Sequence, residues 1–332
     1  MPSRRATLSL GLAAALAAPM TRRATAQDRF AGALETAGGL DQLNCLIIAQ
    51  NGRTLIERAF RGPAPDRIVN INSASKTVLA AITGAAIDRG VLPGVDARLG
   101  DLAPRLIPAG ADPRVEALTV ADLVTMQAGL GRTSGPNYGA WVSSRDWVAY
   151  ALTRPMEGTP GQGMMYSTGT THVLGALLAS VSGESLLTLA RNWIGAPLGI
   201  DIAPWTRDPQ GRYMGGNNMG ISPRGLLAFG EAFRRDDASI VSRDWVRESW
   251  TPRTRSPFSG DDYGYGWFLA QAGGHRVAYA RGYGGQMLYV VPALALTVVM
   301  TSDDSRPARS EGYAGDLFAL LEQGIVPAAS AG

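Results

Sequence analysis

Ile71-Asn72-Ser73-Ala74-Ser75-Lys76 is the stretch on which the fold turns. Lys76 is the only lysine in 332 residues, and every other member of the 31 Lys+Arg is an arginine. Arginine keeps its proton in a protein, whereas a lysine taken out of water can lose it and act as a base. Ser73 stands three residues upstream, an S-x-x-K spacing that puts hydroxyl and amine one turn apart on the same helix face. A hydroxyl is a weak nucleophile and needs a base within hydrogen-bond reach. A helix opening near Ser73 would add free backbone N–H groups and positive dipole potential, both favourable to a developing oxyanion. Burial among Val78, Leu79 and Ile82 would lower the lysine pKa, because desolvation disfavours the ammonium. S-x-x-K also arises by chance in many proteins, so the remaining sequence has to weigh it.

Other nucleophilic and metal chemistries lack their residues. There are two histidines, His172 and His275, and no C-x-x-C, H-E-x-x-H, G-x-x-x-x-G-K or G-x-S-x-G. No metal and no cofactor is expected. Cys45, the sole cysteine, stands in Leu43-Asn44-Cys45-Leu46-Ile47-Ile48 and reads as a small buried strand residue.

The N-terminus reads as an export signal. Arg4-Arg5 precedes an apolar run from Leu8 to Pro19, and Ala24-Thr25-Ala26 offers a cleavage site before Gln27. Ser3-Arg4-Arg5 with Leu8 behind it matches a twin-arginine leader. The expectation is a periplasmic or secreted protein, with residues 1–26 as signal and 27–332 as one catalytic unit. The apolar run is too short to span a bilayer, so no membrane insertion is expected. Removing residues 1–26 leaves 27 basic against 28 acidic side chains, so the basic balance belongs to the leader. No nucleic-acid footprint remains, and the expected partner is a small molecule or short peptide.

Strand signals lie at both ends. Cys45 to Gln50, Asn51-Gly52 and Arg53 to Arg58 read as a hairpin on a tight primed turn. Tyr265 to Gln271, Gly273-Gly274 and Arg276 to Ala280 read as a second. Gln286 to Val291 and Leu294 to Thr301 follow, then a closing helix from Glu311 to Gln323. Helical patterns fill the middle, clearest at Thr119 to Val124 and Thr171 to Val181. The fold class expected is α/β of the α+β type. One antiparallel sheet would come from about 27–90 and 216–325, flanked by helices, with a helical region inserted over about 91–215.

Two further segments complete a pattern. Met165-Tyr166-Ser167-Thr168-Gly169 opens a helical run, and Ala280-Arg281-Gly282-Tyr283-Gly284-Gly285-Gln286 precedes a strand. The order S-x-x-K, Y-x-(N/S/T), then a Gly-containing strand motif resembles the serine β-lactamase and penicillin-binding-protein superfamily. Within it the chain is most similar to the class C-related hydrolases: esterases, D-stereospecific peptidases and 6-aminohexanoate-oligomer hydrolases. Thr119-Val120-x-x-Leu123, Pro197-Leu198-Gly199-Ile200, Gly215-Gly216-Asn217 and Tyr263-Gly264-Tyr265-Gly266-Trp267 extend the likeness. The resemblance implies a β-lactamase/transpeptidase-like fold, Ser73 as acyl-forming nucleophile and Lys76 as its proton partner. It makes Tyr166 the general base or acid for the leaving group, a role in which Lys76 would have to support the phenolate. It places Gly282 as the glycine of the strand motif, with the backbone N–H groups of Ser73 and Tyr283 as oxyanion hole. Thr168, Ala280, Arg281, Gly282, Gln286 and Tyr138 are the candidate substrate contacts.

The departures from the pattern bear on substrate. Thr168 replaces the asparagine of Y-x-N, and Ala280 removes the cation that opens the strand motif. In β-lactam-binding relatives that cation helps hold the substrate carboxylate, so esters or amides lacking a carboxylate become the favoured substrates. Arg281 should face away from position 280 on a strand. An idle penicillin-binding-like module, a D-Ala-D-Ala carboxypeptidase and a class C β-lactamase stay open as alternatives. His172 reads as a structural histidine, and Asp208-Pro209-Gln210-Gly211 as a loop.

Overall fold

A computed structural model describes residues 25–308 and 312–331; of the leader read in residues 1–26, residues 1–24 lie outside the described residues. The Asn51-Gly52 pair does what its sequence asks. Both residues take positive φ, 53° and 75°, and they join β1 (Leu43–Gln50) to β2 (Arg53–Ala59) in antiparallel register, Gln50 opposite Arg53. Short strands follow at β3 (Val69–Asn70), β4 (Ile202–Ala203) and β5 (Gly220–Ile221). The later strands are β6 (Thr254–Arg255), β7 (Asp262–Tyr263), β8 (Phe268–Ala272), β9 (His275–Gly282), β10 (Gln286–Val291) and β11 (Leu296–Ser302).

Among the described residues, eight of these form one sheet in the order β2-β1-β11-β10-β9-β8-β7-β6. Every pair is antiparallel, and β1 lies against β11 with Leu46 opposite Met300. N- and C-terminal chain segments therefore meet in the middle of the sheet. Its interior strands are buried on both faces, which is why β1, β10 and β11 are runs of apolar residues and not alternating patterns. One face carries Ala278, Ala280, Leu288 and Val290 toward the Ser75–Asp88 helix and the helical region. The other carries Val277, Tyr279, Tyr289 and Val298 toward the terminal helices at Ala31–Gly39 and Tyr313–Ala319. β3, β5 and β4 make a separate small sheet, which the sequence reading did not anticipate, since two-residue strands carry no periodicity.

The helix after Ser73 is central. Asn72–Ala74 forms a 3-10 turn that runs into Ser75–Asp88, whose residues Ser75 to Ala86 are all buried. A helix apolar all round belongs in a core. The helix at Thr168–Ser182 packs beside it and ends at Gly183 in the left-handed conformation. No single helix among the described residues is long and apolar enough to cross a membrane.

Candidate active site

Ser73 sits at the mouth of the core helix, half-buried, while Lys76 one turn on is 4% exposed. Lys76 Nζ lies 3.3 Å from Ser73 Oγ, 3.2 Å from Thr168 Oγ1 and 2.9 Å from the Gly216 carbonyl oxygen. Among the described residues no carboxylate pairs with it. Burial therefore holds the Lys76 pKa below its ordinary 10.5, with the Tyr166 hydroxyl working in the opposite direction. The amine also lies 4.9 Å from the centroid of the Tyr166 ring. The three residues singled out in the sequence thus converge on one point, although Tyr166 comes from the loop before a different helix.

The supports of Lys76 are specific. Gly216 has φ 75°, and a Cβ there would stand 2.8 Å from Lys76 Cγ, so only glycine lets this loop reach the amine. The loop is held from behind: Gly215 N donates to His172 Nδ1 at 3.2 Å, and Thr171 Oγ1 donates to the Gly215 carbonyl at 3.0 Å. With Nδ1 accepting, the proton of His172 rests on Nε2, 3.2 Å from Asp208 Oδ2. Burial works to raise the Asp208 pKa, but hydrogen bonds from His172 and the Arg212 backbone outweigh it and hold it low. His172 is fully buried against Trp141 and Trp147, so its part is structural, and Asp208 is part of that support.

Asn217, which sequence reading passed over except as part of a Gly-Gly-Asn match, accepts from the Ser73 hydroxyl at 3.3 Å. Its Nδ2 donates to the Tyr138 hydroxyl at 3.2 Å, which orients the oxygen toward the serine. Tyr138 thus reaches the site through Asn217. Asn72 precedes the serine at φ 47°, a left-handed conformation asparagine tolerates. Its Nδ2 donates to the Tyr283 carbonyl at 3.2 Å and to Asp304 Oδ2 at 3.3 Å. One side chain thereby ties the Ser73 turn to the segment after β9. Gly282 lies where a Cβ would come 2.3 Å from the Ile71 carbonyl, so this approach of strand to helix needs a glycine.

Ser73, Tyr166, Arg281, Gly282 and Tyr283 line one cavity of about 310 Å³. Three of the expected substrate contacts do not line this cavity. Thr168 is 3% exposed, its hydroxyl between Lys76 Nζ and Ser134 Oγ, 3.1 Å from the latter. Ala280 is fully buried on the core face of β9. Gln286 turns inward, donating to the Ser302 carbonyl at 2.8 Å and accepting from Ser302 N at 3.3 Å. Arg132, Ser134 and Phe258, which no motif marked, line the cavity instead. Among the described residues no cluster of three or more His, Cys, Asp or Glu is placed to hold a metal.

Comparison with known proteins agrees with this architecture. The family model described as beta-lactamase matches residues 21–322. The octameric penicillin-binding protein homologue from Pyrococcus abyssi superposes with TM-score 0.70 at 20% identity, over 88% of this chain and 76% of its own. EstCE1, a hydrolase with promiscuous acyltransferase activity, gives TM-score 0.72 at 17% identity over 88% and 98%. A simvastatin synthase mutant from Aspergillus terreus gives 0.70 at 17% over 92% and 99%. At such identities the solved structures are alike in fold.

Proposed function

The chain belongs to the beta-lactamase family, whose fold is that of serine hydrolases, and from that premise we propose that it is an exported hydrolase that acylates Ser73. The observation that carries the reading is the desolvated amine of Lys76 at 3.3 Å from Ser73 Oγ, with no carboxylate among the described residues to hold its proton. A neutral amine has two N–H donors and one lone pair. The Gly216 carbonyl and Thr168 hydroxyl take the donors, and the lone pair is left to receive the Ser73 proton once that hydroxyl turns from Asn217 Oδ1 to the amine.

In this reading Ser73 Oγ attacks the carbonyl carbon of an ester or amide as its proton passes to Lys76. The oxyanion settles on the backbone N–H groups of Ser73 and Tyr283. Collapse expels the alcohol or amine, which takes its proton from the Lys76–Tyr166 pair, and leaves a Ser73 acyl ester. Water then attacks that ester with the same groups reversing roles, releasing the acid and restoring the serine. Export rests on the twin-arginine leader and predicts a mature N-terminus near Gln27 in a periplasmic fraction.

Substrate class is tested with the mature protein on p-nitrophenyl butyrate, nitrocefin and a D-Ala-D-Ala peptide. We expect turnover of the ester with a burst of p-nitrophenol, and weak or no turnover of the other two, since Ala280 supplies no cation. A folded sample that turns over none of a broad ester and amide panel would sink the hydrolase reading and favour a binding module.

Asn72 offers a separate check on the oxyanion assignment. Asn72→Gly keeps the left-handed backbone but removes the donor that fixes Tyr283. Acylation should slow about tenfold, a fraction of what one lost oxyanion donor costs directly. Affinity for a boronate that mimics the tetrahedral species should fall in parallel, with KM little changed. A drop in melting temperature with unaltered kinetics would show the clamp to be structural only.

A further inference from the structure

Lys76 has a hydrogen-bonded route to the cavity that does not pass through Tyr166. Its Nζ donates to Thr168 Oγ1 at 3.2 Å, and Thr168 Oγ1 lies 3.1 Å from Ser134 Oγ. Both side chains are buried, yet Ser134 lines the same cavity as Ser73. Two hydroxyls therefore span the gap between the amine and the space in front of the nucleophile. The loop that carries Ser134 is pinned to the Thr168–Ser182 helix by its neighbour: Thr133 N donates to Ser167 Oγ at 3.1 Å, and Thr133 Oγ1 accepts from Gly169 N at 2.7 Å.

The direction of the hydrogens follows from counting donors and acceptors. A hydroxyl has one hydrogen and two lone pairs. Ser134 Oγ accepts from the Thr168 backbone N–H at 2.9 Å. Among the described residues Thr168 Oγ1 has two partners, Lys76 Nζ and Ser134 Oγ. Were Ser134 to donate to Thr168, the threonine hydrogen would be left without an acceptor in a buried site, which is unfavourable. Thr168 therefore donates to Ser134. Both lone pairs of Ser134 are then taken, and its own hydrogen is left for the cavity. Every link runs outward, from Lys76 N–H to Thr168, from Thr168 O–H to Ser134, and from Ser134 O–H to the cavity. Covering the first N–H of the helix accounts for Ser134 as an acceptor but not for its cavity-facing donor. An asparagine at position 168 would accept from Lys76 through an amide oxygen that has no hydrogen to pass on, whereas threonine has one.

We propose that Thr168 and Ser134 form a second proton path from Lys76 to the leaving group, beside the one through Tyr166. It rests on the acyl-transfer reading of this site and adds two residues to it. Once Ser73 has given its proton to Lys76, the ammonium passes one hydrogen to Thr168 Oγ1 as Thr168 passes its own to Ser134 Oγ. Ser134 gives its hydrogen to the departing oxygen or nitrogen while the bond from that atom to the carbonyl carbon breaks. One proton leaves the amine, one reaches the leaving group, and both hydroxyls stay neutral. Such a path serves alcohols and amines, which depart poorly as anions.

Leaving-group dependence separates the path from a structural role. kcat/KM is measured for p-nitrophenyl butyrate, whose leaving anion is stable without a proton, and for benzyl butyrate, whose alkoxide is not. Both esters deliver the same acyl group to Ser73. In a Tyr166→Phe background, benzyl butyrate turnover should persist and then fall by about tenfold or more when Ser134→Ala or Thr168→Asn is added. The loss on the p-nitrophenyl ester should be several-fold smaller. Thr168→Ser, which keeps the hydroxyl, should retain most of the benzyl activity. Melting temperatures of all variants guard against misfolding. Equal losses on the two esters would show packing alone, and full benzyl activity in Thr168→Asn would show that position 168 only holds the amine; either result overturns the path. So would a Tyr166→Phe enzyme with no benzyl butyrate turnover. A wild type that hydrolyses neither ester would overturn the acyl-transfer reading itself, and the path with it.

Discussion

Ser73→Ala should reduce turnover of an activated ester by about 10⁴-fold or more, because the atom that forms the covalent bond is gone. The fold should survive. Among the described residues the Ser73 hydroxyl makes two hydrogen-bond contacts, both long at 3.3 Å, to Asn217 Oδ1 and Lys76 Nζ. Removing them leaves Lys76 its bonds to the Gly216 carbonyl and Thr168, so stability should change by no more than about 1 kcal/mol. The check is kcat/KM alongside the thermal midpoint. Turnover that persists within tenfold of wild type would mean another group performs the chemistry.

Lys76→Met should cost about 10³-fold in turnover, the scale of a lost general base. Methionine matches the length and apolar surroundings of the stem, so the comparison isolates the amine. The pH profile distinguishes a catalytic amine from a packing role. Burial lowers the folded-state pKa of Lys76 below 10.5, so wild-type activity should rise as pH climbs through that depressed value. The residual activity of the variant should lack this limb.

Stability carries the same signature with a determined sign. Between the depressed folded value and 10.5 the unfolded chain binds the proton that the folded chain has released. Wild-type stability therefore rises with pH across that window and levels off above it. The Lys76→Met variant should not show that rise, which denaturant midpoints measured at several pH values will reveal. A wild-type profile falling with pH through that window would contradict a desolvated lysine.

Local signals in the sequence were enough for the antiparallel sheet and for the pairing of Ser73 with Lys76, while Tyr166 and the fold family were implied by the resemblance of three ordered motifs. Asn51-Gly52 dictated a primed turn, the apolar runs of β10 and β11 dictated a doubly covered sheet, and the S-x-x-K spacing put Ser73 and Lys76 on one helix face. What surrounds them was not legible, because it depends on contacts between distant residues. The Gly216 carbonyl reaches Lys76 across 140 positions, and Asn217 reaches Ser73 across 144. Thr168 and Gln286 stand beside motifs facing the cavity, yet each points its polar group into the protein: Thr168 to Lys76, Gln286 to Ser302. Helix and strand periodicity gives the face of a residue but not which neighbour will satisfy its hydrogen bonds. Arg132 is the plainest case, one of 30 arginines by letter and distinguished only by its place at the cavity over Phe258.

The most direct measurement is the intact mass of the mature protein after reaction with a fluorophosphonate, with peptide mapping of the adduct and Ser73→Ala beside it. A single phosphonyl adduct on Ser73, absent from the variant and slowed in Lys76→Met, is the predicted result. An unmodified folded wild type, or an adduct mapping to another residue, would contradict the assignment of Ser73 as the nucleophile.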